Sequence, residues 1–287
     1  MNHVQAPARA AGPLLPQKAN RRQARATATV DTGPCSRHLK SRRRGLTGLN
    51  QDEARCRTLT RLQAAFPDRA IQADALSLIH AGRFANAHVF RYRAAGLDLI
   101  IKDFSHCPWW VRISAARLFV RREMRMIVRL QGLSGIASAP VRLGRLALAY
   151  AFIPGVTLSA TAKSGDKLSR SFFERLETLV FRMHERGIVH LDLRNLSNIL
   201  VGADGRPYLI DFQSAIDLRG LPKTLRTVLE AVDLSGIYKS YLRLCMEPLE
   251  DSRRQFLERF NRLRRVWVFK GYVLTRYFER LRGPAAR

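Results

Sequence analysis

The stretch that most constrains this chain is residues 188–214, IVHLDLRNLSNILVGADGRPYLIDFQS. A short apolar run predicts one strand, and after a polar loop the runs Asn198 to Val201 and Tyr208 to Ile210 predict two more. The polar loop carries Asp192, and Asp211 directly follows the last strand. Two carboxylates and an amide are therefore predicted to converge beside one hairpin.

This arrangement resembles the catalytic core of protein-kinase-like enzymes, in which H-R-D-x-x-x-x-N is followed by D-F-G. The matching positions in this sequence are His190, Asp192, Asn198 and Asp211. The resemblance implies that Asp192 orients an acceptor hydroxyl and that Asn198 and Asp211 hold Mg²⁺. It also places Arg194 where a cation would offset the charge on a transferring phosphate.

Two positions depart from the kinase pattern. Asn198 lies six residues after Asp192, whereas Ser197 occupies the usual fifth position, so a one-residue bulge is expected. Asn195 is an alternative metal ligand, but Asn198 is preferred because Asn-Ile-Leu-Val matches the strand that follows the kinase Asn. Gln213 replaces the glycine of D-F-G, which argues against regulation by a backbone flip. A single Asp in such places often only caps a turn, and the joint match favours the kinase interpretation.

Upstream, the pattern predicts three strands, at Ala75–His80, His88–Arg93 and Leu97–Lys102. Kinase small lobes begin in this way, and the resemblance assigns Lys102 to the nucleotide phosphates. Gly82 lies in the loop that would cover those phosphates, although Ala85 and Ala87 stand where glycines would allow a closer approach.

Residues 108–131 predict one long helix that begins at Pro108. Its only acid is Glu123, which the kinase resemblance pairs with Lys102, while a solvated Glu among arginines is the alternative. The first half of the helix, from Trp109 and Trp110, mixes apolar side chains with arginines. That composition suits either a membrane interface or the core of the small lobe.

Two further strands, Val141–Arg145 and Leu146–Phe152, lead to Ile153, where a kinase hinge would cradle adenine. A helix is predicted over 169–187, with Ser169 or Ser171 as N-cap and Gly187 as its stop.

His184 and His190 are both predicted to be structural rather than catalytic. Asp233 resembles the helix Asp that anchors the catalytic loop in kinases. It follows Asp211 by only 22 residues, so the platform on which protein kinases lay a peptide is missing.

Charge points to an anionic partner. The chain of 287 residues has a formal charge of +27, and residues 51–287 alone carry 40 basic and 22 acidic side chains. Such an excess favours binding to phospholipid, lipopolysaccharide or nucleic acid. The four cysteines form no C-x-x-C pair, which indicates neither a disulfide framework nor a zinc site and favours a reducing, cytoplasmic setting.

The two ends of the chain differ in pattern. Residues 1–50 carry ten basic side chains and one acidic one without apolar periodicity, and are expected to be disordered. This segment has three open interpretations: a transit peptide, a basic arm or a segment without a role. A basic amphipathic helix over 249–287 is expected to close the large lobe, to lie on lipid, or both.

The segments IIKDF, PWW followed by RRE, YAFIPG, VHLDLRNLSNIL and YLIDFQSA together resemble the bacterial RIO-like and lipopolysaccharide-core (Kdo/heptose) kinase group, over residues 75–245. The resemblance implies an α+β, two-lobed protein-kinase-like fold with a small antiparallel β-sheet lobe and a mainly helical large lobe. It places the small lobe with its preceding helix at 51–153, the large lobe at 154–248 and the terminal segments outside both.

The resemblance also implies ATP and Mg²⁺ as cofactors, with nucleotide contacts at Gly82, Lys102 and Ile153. The expected acceptor is a hydroxyl of a lipopolysaccharide or other envelope glycolipid precursor, met by a cytoplasmic protein that binds peripherally to the anionic inner face of the membrane. A RIO-type serine/threonine protein kinase or ATPase is the second hypothesis, since the same charge would serve nucleic acid. A pseudokinase scaffold is the third, because the glycine loop is depleted and both kinase motifs depart from the pattern.

Overall fold

The computed structural model describes residues 48–266. The predictions for most of the basic segment 1–50, and for the end of the C-terminal helix from Trp267 onward, lie outside the described residues.

A five-stranded antiparallel sheet forms the small lobe, together with helix α1 (Gly48–Ala65). Its strands are β1 (Leu76–His80), β2 (His88–Ala94), β3 (Leu97–Asp103), β4 (Val141–Arg142) and β5 (Ala147–Ala151), in the order β1-β2-β3-β5-β4. Ala95 and Gly96 both adopt positive φ in the turn between β2 and β3, which matches the twist of a two-residue hairpin. The sheet packs on α1 through a small core that includes Leu62 and Tyr92.

A buried carboxylate fastens α1 to the end of β3. Asp103 is 0% exposed, and its Oδ2 accepts hydrogen bonds from Arg61 Nη1 at 2.7 Å and Thr58 Oγ1 at 3.1 Å. Its Oδ1 accepts from the backbone N–H of Ser105 at 2.8 Å. A buried carboxylate needs such paired and bonded surroundings, so α1 is an integral part of the small lobe. The helix begins at Gly48, within the segment that was expected to be disordered.

The helix predicted over 108–131 is divided in two. Helix α2 (Trp109–Ile113) is separated from α3 (Ala115–Arg129) by Ser114, whose φ of −104° and ψ of −92° are not helical. One face of α3 is buried, and it consists of Ala116, Val120, Glu123, Met126 and Ile127. This spacing of three and four residues keeps Glu123 on the inner side of α3.

The large lobe is mainly helical. Its helices are α4 (Leu158–Ser164), α5 (Arg170–Glu185), α6 (Lys223–Leu244) and α7 (Asp251–Val266). Strands β6 (Gly155–Thr157), β8 (Ile199–Gly202) and β9 (Pro207–Leu209) form one antiparallel sheet, and β7 (Ile188–Val189) pairs with β10 (Ile216–Asp217). As predicted, α5 begins with Ser169 as N-cap, whose side chain accepts from Phe172 N, and it ends before Gly187, at a φ of +69°. The expected two-lobed α+β architecture is present.

The cysteines and the hydropathy of the helices are two further features of the described residues. Cys56 is disulfide-bonded, whereas the cysteine spacing indicated no disulfide framework. Cys107 and Cys245 are buried free thiols. Within residues 48–266, no helix combines the length and the apolar composition needed to cross a membrane.

Candidate active site

Asp233 of α6 fixes the loop between β7 and β8. Its two carboxylate oxygens accept from the backbone N–H groups of His190 and Leu191, each at 2.7 Å. Leu191 has a φ of +66°, a conformation that a branched side chain adopts only when its surroundings impose it. His184 Nε2 lies 3.1 Å from Asp233 Oδ2. The anchoring contact expected of Asp233 is therefore present in the structure, and His184 supports it.

His190 joins this loop to the segment that carries Asp211. Its Nε2 lies 3.0 Å from the carbonyl oxygen of Ile210, and its Nδ1 accepts from the backbone N–H of Asp192 at 3.4 Å. The ring is fully buried and packs on Phe212, with 4.9 Å between the ring centroids. His190 thus holds the two acidic positions in a fixed relation, as its predicted structural character requires.

Asn198 and Asn195 were the two candidates for the place of the kinase Asn, and the structure shows what each of them contacts. Its Nδ2 donates to Asp192 Oδ2 at 2.8 Å and to Asp192 O at 3.1 Å. A 3₁₀ turn at Leu196–Asn198 absorbs the extra residue, and Asn195 caps that turn by accepting from Ser197 N. Asn198 is buried. Asn198 therefore contacts Asp192 directly, and Asn195 also hydrogen-bonds this carboxylate. The preference for Asn198 over Asn195 as a metal ligand stays a prediction.

Burial raises the pKa of Asp192, and the neighbouring charge of Asp211 adds to this effect, while the hydrogen bond from Asn198 opposes it. A carboxylate with a raised pKa is a better proton acceptor once it is ionised. Asp192 is therefore the acidic side chain of this loop best suited to act as a base.

Lys102, Glu123 and Asp211 meet where the two lobes face each other. Lys102 Nζ lies 2.7 Å from Glu123 Oε1 and 2.9 Å from Asp211 Oδ1. Glu123 is 0% exposed, whereas the side chain of Asp211 is 38% exposed. Register places Lys102 opposite Val89 and Leu148, in the middle of the small-lobe sheet. The ion pair expected from the sequence is thus formed, with Asp211 as a third member.

The pKa values of this group reflect its burial. Burial raises the pKa of Glu123 to about 7, and the charge of Lys102 limits that rise. Burial alone would lower the pKa of Lys102, but the carboxylates of Asp211 and Glu123 raise it above its ordinary value. Burial would raise the pKa of Asp211, yet Lys102 holds it below the usual range. Asp211 is therefore ionised at neutral pH, as a metal ligand must be.

The two predicted metal ligands carry oxygen atoms of the kind that suits Mg²⁺. Carboxylate and amide oxygens of Asp211 and Asn198 are the hard ligands that this ion prefers. Within the described residues there is no group of three or more His, Cys, Asp or Glu side chains that could hold a metal by themselves. Mg²⁺ is commonly held by one or two carboxylates together with water and substrate phosphates. The residues present therefore fit a Mg²⁺ ion that arrives with a nucleotide.

The loop between β1 and β2 contains a contact that sequence reasoning missed. Gly82 N donates to His88 Nδ1 at 3.0 Å, and a Cβ on Gly82 would lie 2.2 Å from the carbonyl oxygens of Asn86 and Ala87. Only glycine fits this close approach. His88 stacks on His106 with 3.5 Å between ring centroids. Burial, followed by the charge of His106, lowers the pKa of His88 to about 4.

Ile153 lies on the connection between the lobes. The preceding Phe152 donates its backbone N–H to Asp98 O in β3 at 2.9 Å, and Pro154 O accepts from Ala203 N of the large lobe at 2.8 Å. The connection is therefore bonded on both sides, and Ile153 packs at the edge of the main core. Its expected contact with adenine stays a prediction.

Arg194 lies in the same loop as Asp192, but its guanidinium is directed towards the large-lobe helices. Nη1 donates to Ser235 Oγ in α6 at 3.0 Å, and Nη2 donates to Asn261 Oδ1 in α7 at 3.5 Å. Its expected contact with a transferring phosphate stays a prediction, and that contact would compete with these two hydrogen bonds.

The protein-family model described as RIO domain matches residues 105–247, just under half of the chain. Among curated proteins the chain is similar to CBL-interacting protein kinase 25 of Oryza sativa subsp. japonica, with 27% identity over 146 residues. That alignment covers 47% of this chain and 28% of the relative, so the chain spans less than a third of that protein's length.

Two solved structures of the Rio2 kinase from Chaetomium thermophilum are also similar. The complex with ADP, Mg²⁺ and phosphoaspartate shares 13% identity with a TM-score of 0.47, over 72% of this chain and 75% of that one. A second structure shares 14% identity with a TM-score of 0.49, over 76% and 78%. Residues 105–247 are therefore similar to a RIO domain, and the described elements form the expected two-lobed α+β arrangement. The finer resemblance to lipopolysaccharide-core kinases stays a prediction.

Proposed function

We propose that this protein is an ATP- and Mg²⁺-dependent phosphotransferase that acts on a hydroxyl group. The observation that carries the proposal is the buried contact of Lys102 Nζ with Glu123 at 2.7 Å and with Asp211 at 2.9 Å. A lysine held between two carboxylates in this way is positioned for phosphate, and a third anion would replace part of the Asp211 contact. Nearby, Asp192 and Asn198 form a second hydrogen-bonded pair.

The side chains then have distinct roles. Asp192 orients the acceptor hydroxyl and accepts its proton, and the hydrogen bond from Asn198 fixes the orientation of its carboxylate. Lys102 positions the nucleotide phosphates, and Glu123 keeps Lys102 in place. Asn198 and Asp211 would hold the metal ion. When bound, ATP would supply the phosphoryl group and Mg²⁺ would neutralise charge on its oxygens.

Nucleotide contacts are assigned to the loop at Gly82 and to the connection at Ile153. The backbone around Gly82 is already held by His88, and a preformed loop lowers the entropic cost of binding. Arg194 is assigned to the transferring phosphate, which requires it to leave Ser235 and Asn261. These assignments follow the kinase pattern residue by residue.

For the acceptor, we propose a hydroxyl of a lipopolysaccharide or other envelope glycolipid precursor, met by a protein bound peripherally at the inner face of the membrane. The support is the short segment between Asp211 and the start of α6 at Lys223, which offers little surface on which to lay a peptide. The excess of basic side chains also favours an anionic acceptor.

A RIO-type serine/threonine protein kinase or ATPase is the second candidate. It is favoured by the RIO domain match over 105–247 and by the similarity to a relative named as a protein kinase. The two candidates share every catalytic assignment and differ only in the acceptor.

An assay with radiolabelled ATP tests both the proposed phosphotransfer activity and the proposed acceptor. The full chain would be incubated with Mg²⁺, without acceptor, with dephosphorylated lipopolysaccharide core, or with a mixture of basic and acidic proteins, and Asp192→Ala would be the matched control. Transfer to the glycolipid that is lost in Asp192→Ala would support the first candidate, and transfer to protein, or ATP hydrolysis alone, would support the second. If ATP neither binds nor turns over, both candidates fail and a pseudokinase scaffold replaces them.

A further inference from the structure

Helix α2 and the first turns of α3 expose an unusual amount of apolar surface. The exposed fractions are 69% for Trp109, 40% for Trp110, 54% for Ile113 and 51% for Leu118. The opposite side of the same helices is anchored by buried Val111, Ala116 and Val120. These buried residues attach the two helices to the protein, and among the exposed side chains Trp110 adds a contact with Phe84. Clustered apolar exposure of this kind marks an interaction site.

The charge on this surface is of one sign. Arg117, Arg121 and Arg125 are exposed at intervals of four residues, which places them along one side of α3. Among residues 48–266, none of them has an ion-pair partner. The only acid between residues 104 and 131 is Glu123, which is 0% exposed and bound to Lys102. The outer side of α2 and α3 therefore carries arginines and no exposed acidic side chain of these two helices.

We propose that this surface docks the protein on an anionic phospholipid membrane. We call it the tryptophan–arginine face, and it consists of the exposed side chains Trp109, Trp110, Ile113, Leu118, Arg117, Arg121 and Arg125. Tryptophan and aliphatic side chains enter the headgroup and acyl boundary, while arginines bind lipid phosphates. Nucleic acid would use the arginines and the aromatic rings, but it offers no hydrocarbon phase in which to bury Ile113 and Leu118. A membrane uses both sets of side chains.

The tryptophan–arginine face is also linked to the candidate site. Trp110 packs edge-on against Phe84 in the loop that contains Gly82, with 5.2 Å between the ring centroids. The inner side of α3 carries Glu123. Docking would therefore bring the loop that contains Gly82, and the ion pair of Lys102 with Glu123, close to the lipid surface. The docking itself stands without the proposed phosphotransfer, and only the delivery of a glycolipid acceptor rests on that proposal.

Vesicle co-sedimentation of the full chain tests the charge component. Vesicles of phosphatidylcholine with phosphatidylglycerol would be compared with vesicles of phosphatidylcholine alone. Each arginine near an anionic surface contributes on the order of 1 kcal/mol, so Arg117→Ser with Arg121→Ser should weaken partitioning about 30-fold at low salt. The matched control is Arg175→Ser with Arg182→Ser, which removes two exposed arginines from α5 and should change partitioning much less.

The apolar component is tested at high salt, where the charge component is screened. Trp109→Ser with Ile113→Ser should reduce the remaining partitioning about tenfold. Its control is Phe181→Ser with Leu242→Ser. These two residues lie in the large lobe, away from the tryptophan–arginine face, and are 45% and 51% exposed. Lipids brominated in their acyl chains should quench the tryptophan fluorescence of the wild type, and Trp109→Phe should lose part of that quenching.

Three results would overturn the docking proposal. These are equal losses in the face variants and their controls, absence of quenching by brominated lipid, or tight RNA binding that the arginine variant abolishes while vesicle binding stays unchanged. ATP binding in solution, measured in the same variants, should match the wild type. A failure of docking is therefore distinguishable from a failure of the proposed phosphotransferase activity, which would show as lost nucleotide binding with vesicle binding intact.

Discussion

Replacing Lys102 by Met should destabilise the protein in a way that depends on pH. Met fills a similar volume but removes the charge that faces Glu123 at 2.7 Å and Asp211 at 2.9 Å. The side chain of Asp211 is 38% exposed, although its Oδ1 is buried, whereas Glu123 is 0% exposed as a whole. Most of the stability lost with Lys102 is therefore expected to arise at Glu123. This side chain must either carry an unpaired buried charge or take up a proton.

The size and sign of the effect follow from the pKa of Glu123. In the wild type this pKa is raised from 4.5 to about 7, so the folded state binds more protons than the unfolded state between these values. Stability from this group falls as pH rises through that window, and then levels off. Without Lys102 the pKa rises further, and the fall continues above pH 7. The penalty should be about 1–3 kcal/mol at pH 6 and should grow by up to about 1.4 kcal/mol per pH unit above pH 7.

Urea unfolding followed by circular dichroism at pH 6, 7 and 8 measures this penalty directly. The double variant Lys102→Met with Glu123→Gln has no titrating carboxyl at position 123. The increase of the stability penalty above pH 7 should therefore disappear in this variant. A penalty for Lys102→Met that stays constant over the whole range would refute the reasoning. Persistence of the growth in the double variant would do the same, because it would place the titrating group elsewhere.

Further outcomes are expected at other positions of the site. Asp211→Asn should abolish the dependence of ATP binding on Mg²⁺, since a neutral amide cannot replace a charged ligand; titration with a fluorescent nucleotide, with and without the metal, checks this, and equal wild-type affinity in both conditions would contradict the metal site. Asp192→Ala should remove phosphotransfer while leaving ATP affinity nearly unchanged, and a wild-type turnover rate would show that Asp192 is not the base. His88 has a pKa lowered from 6.5 to about 4, with His106, Asp103 and His80 as its charged neighbours, so the folded state stays neutral while the unfolded chain is protonated. Its contribution to stability is present above pH 6.5 and should be lost towards pH 4 by up to about 1.4 kcal/mol per pH unit; His88→Gln should reduce that slope in urea unfolding, and an unchanged slope would exclude His88 as its source.

The local patterns of the sequence were sufficient to predict much of the site. The three strands before Lys102 lie within one or two residues of their predicted bounds, because alternation and the Ala95-Gly96 turn are encoded locally. The pairing of Lys102 with Glu123 was implied by the kinase resemblance, and Glu123 is the single acid of its predicted helix. The preference for Asn198 as a metal ligand rests on the strand that follows it and stays a prediction, while a 3₁₀ turn accommodates the extra residue.

Other features depend on contacts between distant segments, which a local pattern does not encode. The break at Ser114 divides a stretch whose composition favours one continuous helix. The bond from Gly82 to His88 forms only when the loop folds back, and nothing in the spacing distinguishes His88 from another strand residue. The contact of Arg194 with Asn261 spans 67 residues. The pairing of Cys56 likewise could not be predicted from cysteine spacing alone.

The fastening of α1 to Asp103 bears on where the chain can be cut. A boundary drawn from the RIO domain match would start at residue 105, and would discard Lys102 together with three strands. A cut after Phe66 would keep the sheet but remove Arg61 and Thr58. The carboxylate of Asp103 would then keep only the backbone N–H of Ser105 among these three hydrogen-bond donors. A recombinant fragment meant to retain the small lobe should therefore start ahead of Gly48, where α1 begins.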